Sequence, residues 1–316
     1  MSTAKVNHAA EVNPATEINE HTLEETASYV TPDFPYRTDL CRLDTIPECT
    51  FPWHWHNDVE LFYMRKGQLD YTLPSGTYTF LEGEGGFINS GVLHMTSCPE
   101  GQISLQEEHI FLPQFIGGSQ DSVLTQRYIL PITNNAGLDL FRFDPTIPEH
   151  KKIIELLRQS YDFYSKKQEG YEFDVRESMT KVWRLIFALT KDSHNTSFST
   201  HKNERLKTMM AYIAAHYSEK LTLQQIADSS YISIRECCRC FKENLGISPF
   251  SYLMDYRLRK VCDFLIHTDT PITDIGSACG FGSTSYLGKE FKARFHCSPR
   301  EYRQRHQPKS SRGEIL

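Results

Sequence analysis

Four residues in the first third of the chain have the side chains best suited to gripping a cation or a polar ligand. His54, His56 and Glu60 lie in HWHNDVELFYMRKG (54–67), which has the spacing H-x-H-x3-E-x6-G and ends on Gly67. A second stretch, GEGGFINSGVLH (83–94), ends on His94. On an extended strand, alternation turns His54 and His56 to one face and Trp53 and Trp55 to the other. Imidazoles with a carboxylate suit Fe, Mn, Zn or Ni. The same groups can orient an organic ligand in an apolar cavity without metal.

These residues sit in a segment that reads as strands. From about Phe34 to Phe143, runs rich in Tyr, Phe, Ile, Leu and Thr are broken by Gly, Pro and Asn, as in LDYTLPSGTYTFLEGEGGFINSG and QISLQEEHIFL. Turn signals at this spacing predict an antiparallel barrel or sandwich. The two motifs together resemble those of the cupin barrel over about residues 34–115, with Asn89 where the cupin pattern has proline. That resemblance implies that Glu60 and His94 converge on His54 and His56. Phe62, Met64, Tyr71, Tyr78 and Phe87 either line the barrel or pack its core, and packing is the simpler reading.

From Pro148 the period becomes helical. Ile153, Leu157, Tyr161 and Tyr164 form one stripe; Val175, Met179, Val182, Trp183, Ile186 and Leu189 form another. The second stripe either pairs with another copy of the chain or packs on the barrel. Residues 191–203, KDSHNTSFSTHKN, are polar and patternless, as expected of a linker.

Two helix-turn-helix patterns follow. In LTLQQIADSSYISIRECCRCFKENLG (221–246), Thr222 and Ser233 are placed to cap two helices. Ala227 allows them to cross closely, and Gly246 stops the second. In PITDIGSACGFGSTSYLGKEFKARFH (271–296), Ile275, Gly276 and Phe291 match Ile226, Ala227 and Phe241. Gly280 supplies the turn, where positive φ is expected, and Ser283 caps the second helix. An amphipathic segment carrying Met254, Leu258, Val261, Cys262 and Leu265 joins them. Such a unit frees its second helix to enter a major groove.

The repeated pattern resembles the DNA-binding domain of the arabinose-operon regulator (AraC/XylS) family over about residues 204–303. It is carried by IAD…YIS, RCFKENLGISPFSYL, DYRL, ITDIGSACGF and SYLGKEFKARFHCSPREYR. Tyr231 stands where glycine is frequent, Gly276 where alanine is usual, and Lys289 where many members carry arginine. The resemblance implies seven helices that lay two recognition helices into successive major grooves. By position it assigns base contacts to Arg235, Cys238, Arg239, Thr284, Ser285, Gly288 and Lys289. It assigns phosphate contacts to Lys242, Arg257, Lys292 and Arg300.

Charge and composition fit this division. Residues 203–316 hold 17 Lys+Arg against 12 Asp+Glu, while the whole chain is −6, so the front is acidic and only the rear suits a polyanion. Nine scattered cysteines read as free thiols in a reducing compartment. Cys237 and Cys240 fall on the core side of their helix, where cysteine acts as a small apolar residue. No apolar run is long enough for a membrane span, and none resembles a signal core.

The expected architecture is α+β and multidomain: a cupin-like antiparallel β-barrel, then an all-α double helix-turn-helix domain. The expected order is a disordered tail (1–30), an effector-binding barrel (31–147), a helical dimerisation segment (148–190), a linker (191–203), the DNA-binding domain (204–306) and a tail (307–316). The expected function is a cytoplasmic, sequence-specific transcription regulator, not an enzyme. Its partners would be a double-stranded DNA operator, a small-molecule effector (a sugar is one candidate), RNA polymerase if it activates, and a second copy of itself, with no membrane. His54, His56, Glu60 and His94 are the expected effector pocket, with no resident cofactor; a divalent metal on the same four residues is the alternative. Two other readings compete: a cupin metalloenzyme tethered to DNA, and a structural DNA binder that takes no ligand.

Overall fold

The computed structural model describes residues 17–19, 23–26, 29, 33–135, 137–191 and 200–307. It divides into two compact units, the first reaching residue 203 and the second running on from Glu204. The first unit contains β1 (Glu17–Ile18), β2 (Glu25–Thr26), β3 (Tyr36–Arg42), β4 (Thr50–His54) and β5 (Val59–Leu73). β6 (Gly76–Leu81), β7 (Gly85–Ile88), β8 (His94–Ser97) and β9 (Ser104–Phe111) follow. Two one-turn helices, α1 (Gln114–Gly117) and α2 (Leu130–Thr133), precede β10 (Leu140–Phe143). The long helices α3 (Pro148–Lys166) and α4 (Tyr171–Leu189) close the unit.

β5 organises the sheet. Its first half pairs antiparallel with β7 and β9, and its second half with β6 and β8. β10 extends one face beyond β7, β3 lies beyond β9, and β4 lies beyond β8. One strand thus serves two facing layers, and it bends where it passes between them. The pairing shifts register between Met64 and Lys66, and Gly67 follows at φ +81°. Alternation along β9 does the rest: Gln106, Glu108 and Ile110 face a cavity, while Phe111 joins the apolar core beneath the helices.

Helices α3 and α4 pack on that core face. Val175, Met179, Val182, Trp183 and Ile186 are buried in the same cluster as Phe87, Phe111 and Phe143, and the Trp183 indole donates to the Tyr128 carbonyl at 2.9 Å. Burial of a side chain of this size contributes about 1.5–3 kcal/mol. The α4 stripe expected to pair with a second copy is therefore covered by its own unit, and the reading of 148–190 as a dimerisation segment is corrected on that point. A buried polar chain pins α3 to the sheet. The Tyr36 hydroxyl lies 2.7 Å from His109 Nδ1 and 2.8 Å from the Ser160 hydroxyl on α3. His109 Nε2 in turn lies 3.2 Å from Glu107.

Residues 17–26 also differ from expectation. β1 and β2 form a small hairpin, Leu23 and Glu25 are buried, and Glu24 bridges to Trp55 in parallel. The disordered tail through residue 30 is thus corrected over its described part. Most of the expected linker, 192–199, and the tail after Gln307 lie outside the described residues.

The second unit is all helix: α5 (Thr200–His216), α6 (Leu223–Asp228), α7 (Ile234–Leu245), α8 (Pro249–His267), α9 (Ile272–Ala278), α10 (Thr284–Phe295) and α11 (Pro299–His306). α5 already starts at Thr200, inside the stretch expected to be linker. Leu258, Val261, Cys262 and Leu265 of α8 meet Ile275, Leu287, Phe291 and Tyr302 in one core. Among the described residues, no helix is long and apolar enough to cross a membrane.

Candidate functional site

β4 and the loop after it deliver His54 and His56, β5 delivers Glu60, and β8 delivers His94. All four are nearly inaccessible to solvent. One ligand atom from each of His54, His56 and His94 lies within 4.8 Å of the others. Glu60 Oε2 sits 3.2 Å from His94 Nε2 and 3.5 Å from His56 Nε2. The Tyr71 hydroxyl donates to the other carboxylate oxygen, Oε1. The structure thus brings together all four residues singled out by spacing. Phe62, Met64 and Tyr71 pack in the core beside them, as does Phe87 on the helix side.

The orientation of the rings is decisive. His54 Nδ1 lies 2.8 Å from the Pro52 carbonyl, His56 Nδ1 3.0 Å from that of Asp58, and His94 Nδ1 2.9 Å from that of Val92. A carbonyl oxygen only accepts, so each Nδ1 carries a proton and each ring turns its Nε2 inward. His56 Nε2 has no hydrogen-bond partner. Three lone pairs and a carboxylate aimed at one point repel one another unless protons or a cation lie between them. Ligating histidines characteristically have the other ring nitrogen held by a carbonyl or carboxylate.

Sequence reasoning missed Glu25. Its Oε2 lies 3.0 Å from His54 Nε2, and both side chains are buried. The only signal for it was Leu23, a lone large apolar residue in a polar stretch. Burial, aided by the neighbouring His94 and His56, pushes the His54 imidazole well below its ordinary range. Burial raises the Glu25 carboxyl. Burial also opposes ionisation of Glu60, but His56 and His94 hold its carboxyl well below the usual range. The cavity beside these groups is small, about 60 Å³, and is also lined by Arg37, Gln106 and Glu108. Burial, and then Glu60, push the Glu108 carboxyl well above its ordinary range.

In the second unit, the two helix-turn-helix patterns have closely similar geometry. The Thr222 hydroxyl accepts from the Gln225 amide, and the Gln225 side chain returns the bond, closing a capping box on α6. Ser233 caps α7 and Ser283 caps α10. Ala227 and Gly276 are buried at the helix crossings, and a Cβ on Gly276 would meet a Leu287 methyl at 3.2 Å. Cys237 and Cys240 are buried, as a core role requires.

Known proteins resemble the chain along most of its length. It is 29% identical to an uncharacterised HTH-type transcriptional regulator, YdeC of Bacillus subtilis, over 252 residues, 80% of this chain and 86% of the relative. It is 24% identical to the HTH-type transcriptional activator RhaS of Enterobacter sp. (strain 638), over 82% of this chain and 90% of the relative. A solved transcriptional regulator from Chromobacterium violaceum, described as containing an AraC-type DNA-binding domain, is 29% identical. It covers 36% of this chain and 100% of its own, with a TM-score of 0.33. Residues 226–305, from α6 through α11, match a helix-turn-helix domain family. The C-terminal unit contains a helix-turn-helix domain and is similar to AraC-type DNA-binding domains.

The chain is accordingly a DNA-binding transcription regulator, and these relatives lend no support to the tethered-enzyme alternative. Within the helix-turn-helix domain, Arg235, Arg239, Thr284, Ser285 and Lys289 are exposed on α7 and α10, while Cys238 and Gly288 are half-buried. Arg239 pairs with Glu236 at 2.6 Å, an exposed pair that is easily exchanged for another partner. Lys292 and Arg300 are exposed. Lys242 donates to the Gly246 carbonyl at the end of α7. Arg257 is corrected: its guanidinium donates to the Tyr217 and Glu219 carbonyls, both at 2.7 Å. It is half-buried and ties α8 to the loop before α6, which removes it from the phosphate-contact set.

Tyr231, in the first turn, has φ +55° and is 97% exposed. Left-handed backbone costs a non-glycine residue about 1–2 kcal/mol, partly offset by the entropy that glycine loses on folding. Tyr231→Gly should therefore stabilise the domain by about 0.5–1 kcal/mol and raise its thermal midpoint by a few degrees. A lower midpoint would contradict this account of the turn.

Proposed function

We propose that this regulator is controlled by a divalent cation held in its N-terminal barrel by His54, His56, Glu60 and His94. The observation that carries this reading is the ring orientation: three Nδ1–H groups fixed on carbonyls and three Nε2 atoms turned to one point, with Glu60 Oε2 beside two of them. The cavity beside the cluster has room for an ion with its waters. The donors suit Mn, Fe, Ni or Zn. The metal, when bound, supplies a positive centre; the protein supplies the four ligands, and Tyr71 fixes Glu60 through a hydrogen bond.

Control of DNA binding requires that the cation bind one conformation of the chain better than another. Relatives named as activators support RNA polymerase as a further partner. A regulator that reads the operator works beside the chromosome, which makes the cytoplasm its compartment. Two copies acting on one operator would meet through a surface other than the α4 stripe.

The test is elemental analysis of protein purified without a histidine tag, combined with melting before and after chelation. The expected result is near-stoichiometric transition metal and a midpoint that falls by several degrees on chelation, because ligand–metal bonds add to folding free energy. His94→Ala should lose the metal. Protein that binds no metal and melts identically in chelator would return the pocket to a metal-free organic effector.

A further inference from the structure

We propose that Cys49 and Cys98 form an oxidation site, at which a hydroperoxide joins β4 to β8 through a disulfide. The inference stands apart from the metal reading and holds whether or not a cation occupies the histidine cluster.

The strand register sets the two residues opposite each other. β4 pairs antiparallel with β8, with Thr50 opposite Ser97 and Phe51 opposite Thr96. One step further along the same register Cys49 meets Cys98, and the Cys98 amide donates to the Cys49 carbonyl at 2.9 Å. Residues paired this way across antiparallel strands have Cα atoms about 5.5 Å apart, inside the range of about 4.4–6.8 Å that a disulfide spans. Cys98 lies in the apolar cluster with Leu43 and Leu69, and Cys49 packs against that same cluster. The two side chains therefore share one side of the sheet. The chain enters β4 through two successive left-handed residues, Glu48 at φ +60° and Cys49 itself at φ +49°. Such backbone is costly for residues other than glycine and persists where the surroundings impose it, often at functional sites.

Burial sets the order of events. Cys49 is half-buried and Cys98 is buried, both as free thiols. Burial, and then the neighbouring Cys49, push the Cys98 thiol up to about 12, which makes Cys98 a poor first nucleophile. Cys49 attacks first, as its thiolate. Its sulfur bonds to one peroxide oxygen, the O–O bond breaks, and the other oxygen leaves as hydroxide or alkoxide and takes up the proton that Cys49 gave up. The product is a sulfenic acid. The Cys98 sulfur then attacks the Cys49 sulfur, the S–O bond breaks, and the hydroxyl leaves as water with the Cys98 proton. The two thiols lose two electrons in all, and the peroxide gains them. β4 and β8 also pair at His54 and His94, so the disulfide ties the opposite ends of the two strands that carry these histidines. The front unit thereby has an oxidant-sensitive clip.

The test is exposure of the reduced full chain to hydrogen peroxide, followed by alkylation, digestion without reductant and mass spectrometry. The wild type should yield the Cys49 and Cys98 peptides joined, two hydrogens lighter than their sum, and no other cysteine pair to a comparable extent. Cys98→Ser should stop at the sulfenic acid, which dimedone traps on Cys49. Cys49→Ser should leave Cys98 alkylated as a thiol at the same dose. A wild type in which both residues stay thiols, or in which each is oxidised without joining, would overturn the proposal. So would a Cys98→Ser protein with no dimedone adduct on Cys49. The wild-type map needs no variant, so it decides the matter even where a variant folds poorly.

Discussion

Gly67→Ala should destabilise the front unit by about 3 kcal/mol or more, lowering its thermal midpoint by roughly 10 °C. Two effects add. Gly67 lies at φ +81°, where an L side chain costs about 1–2 kcal/mol. Its Cβ would also fall 1.7 Å from the Ile103 carbonyl oxygen, a backbone atom that cannot swing aside as a side chain can. β5 turns here from one layer to the other, so relief requires moving the strand that carries Glu60 and Tyr71. The metal or effector response should be lost with the fold, while DNA binding by the rear unit persists. Scanning calorimetry resolves the two transitions. A front transition within about 2 °C of wild type would show that the bend is not where the structure places it.

Gly280→Ala should be nearly as severe in the rear unit, and there the loss is of DNA binding. Gly280 forms the turn of the second helix-turn-helix at φ +76°. A Cβ would come within 2.7 Å of the Tyr217 carbonyl, 2.9 Å of the Ser218 carbonyl and 2.8 Å of the Arg257 guanidinium. These atoms belong to the joint where Arg257 ties α8 to the loop before α6. Alanine must therefore push the second helix-turn-helix away from the first, changing the spacing of α7 and α10. A loss of about 2–3 kcal/mol in stability is expected, together with a larger fall in affinity for a two-groove site than for a site read by α7 alone. Equal losses on both sites would mean that the turn does not set the spacing.

Much of the two sites was legible because each rests on local rules. Strand alternation placed His54 and His56 on one face, and the resemblance of two motifs to those of the cupin barrel added Glu60 and His94. Cap residues, small crossing residues and turn glycines located both helix-turn-helix units. What escaped depends on contacts between residues far apart in sequence. Glu25 belongs to a stretch with no period, and its importance arises from a parallel contact with residue 55. The α4 stripe showed which face is apolar but not what covers it; the sheet does. Arg257 looks like a free cation in an amphipathic helix, yet two carbonyls from the preceding loop occupy its guanidinium. The Tyr36–His109–Ser160 chain joins a strand, its neighbour and a helix across more than a hundred residues, and no single segment signals it.

The central claim is that occupancy of the barrel site alters DNA binding by the same chain. Fluorescence anisotropy measures this directly, using the full chain on an operator selected from random duplexes, at fixed salt, metal-loaded and stripped. The account predicts at least a fivefold difference in affinity between the two states for the wild type, within the usual range of coupling between sites. It predicts no difference for a His54→Ala/His94→Ala variant that binds the operator. Equal affinities of loaded and stripped wild type would contradict it.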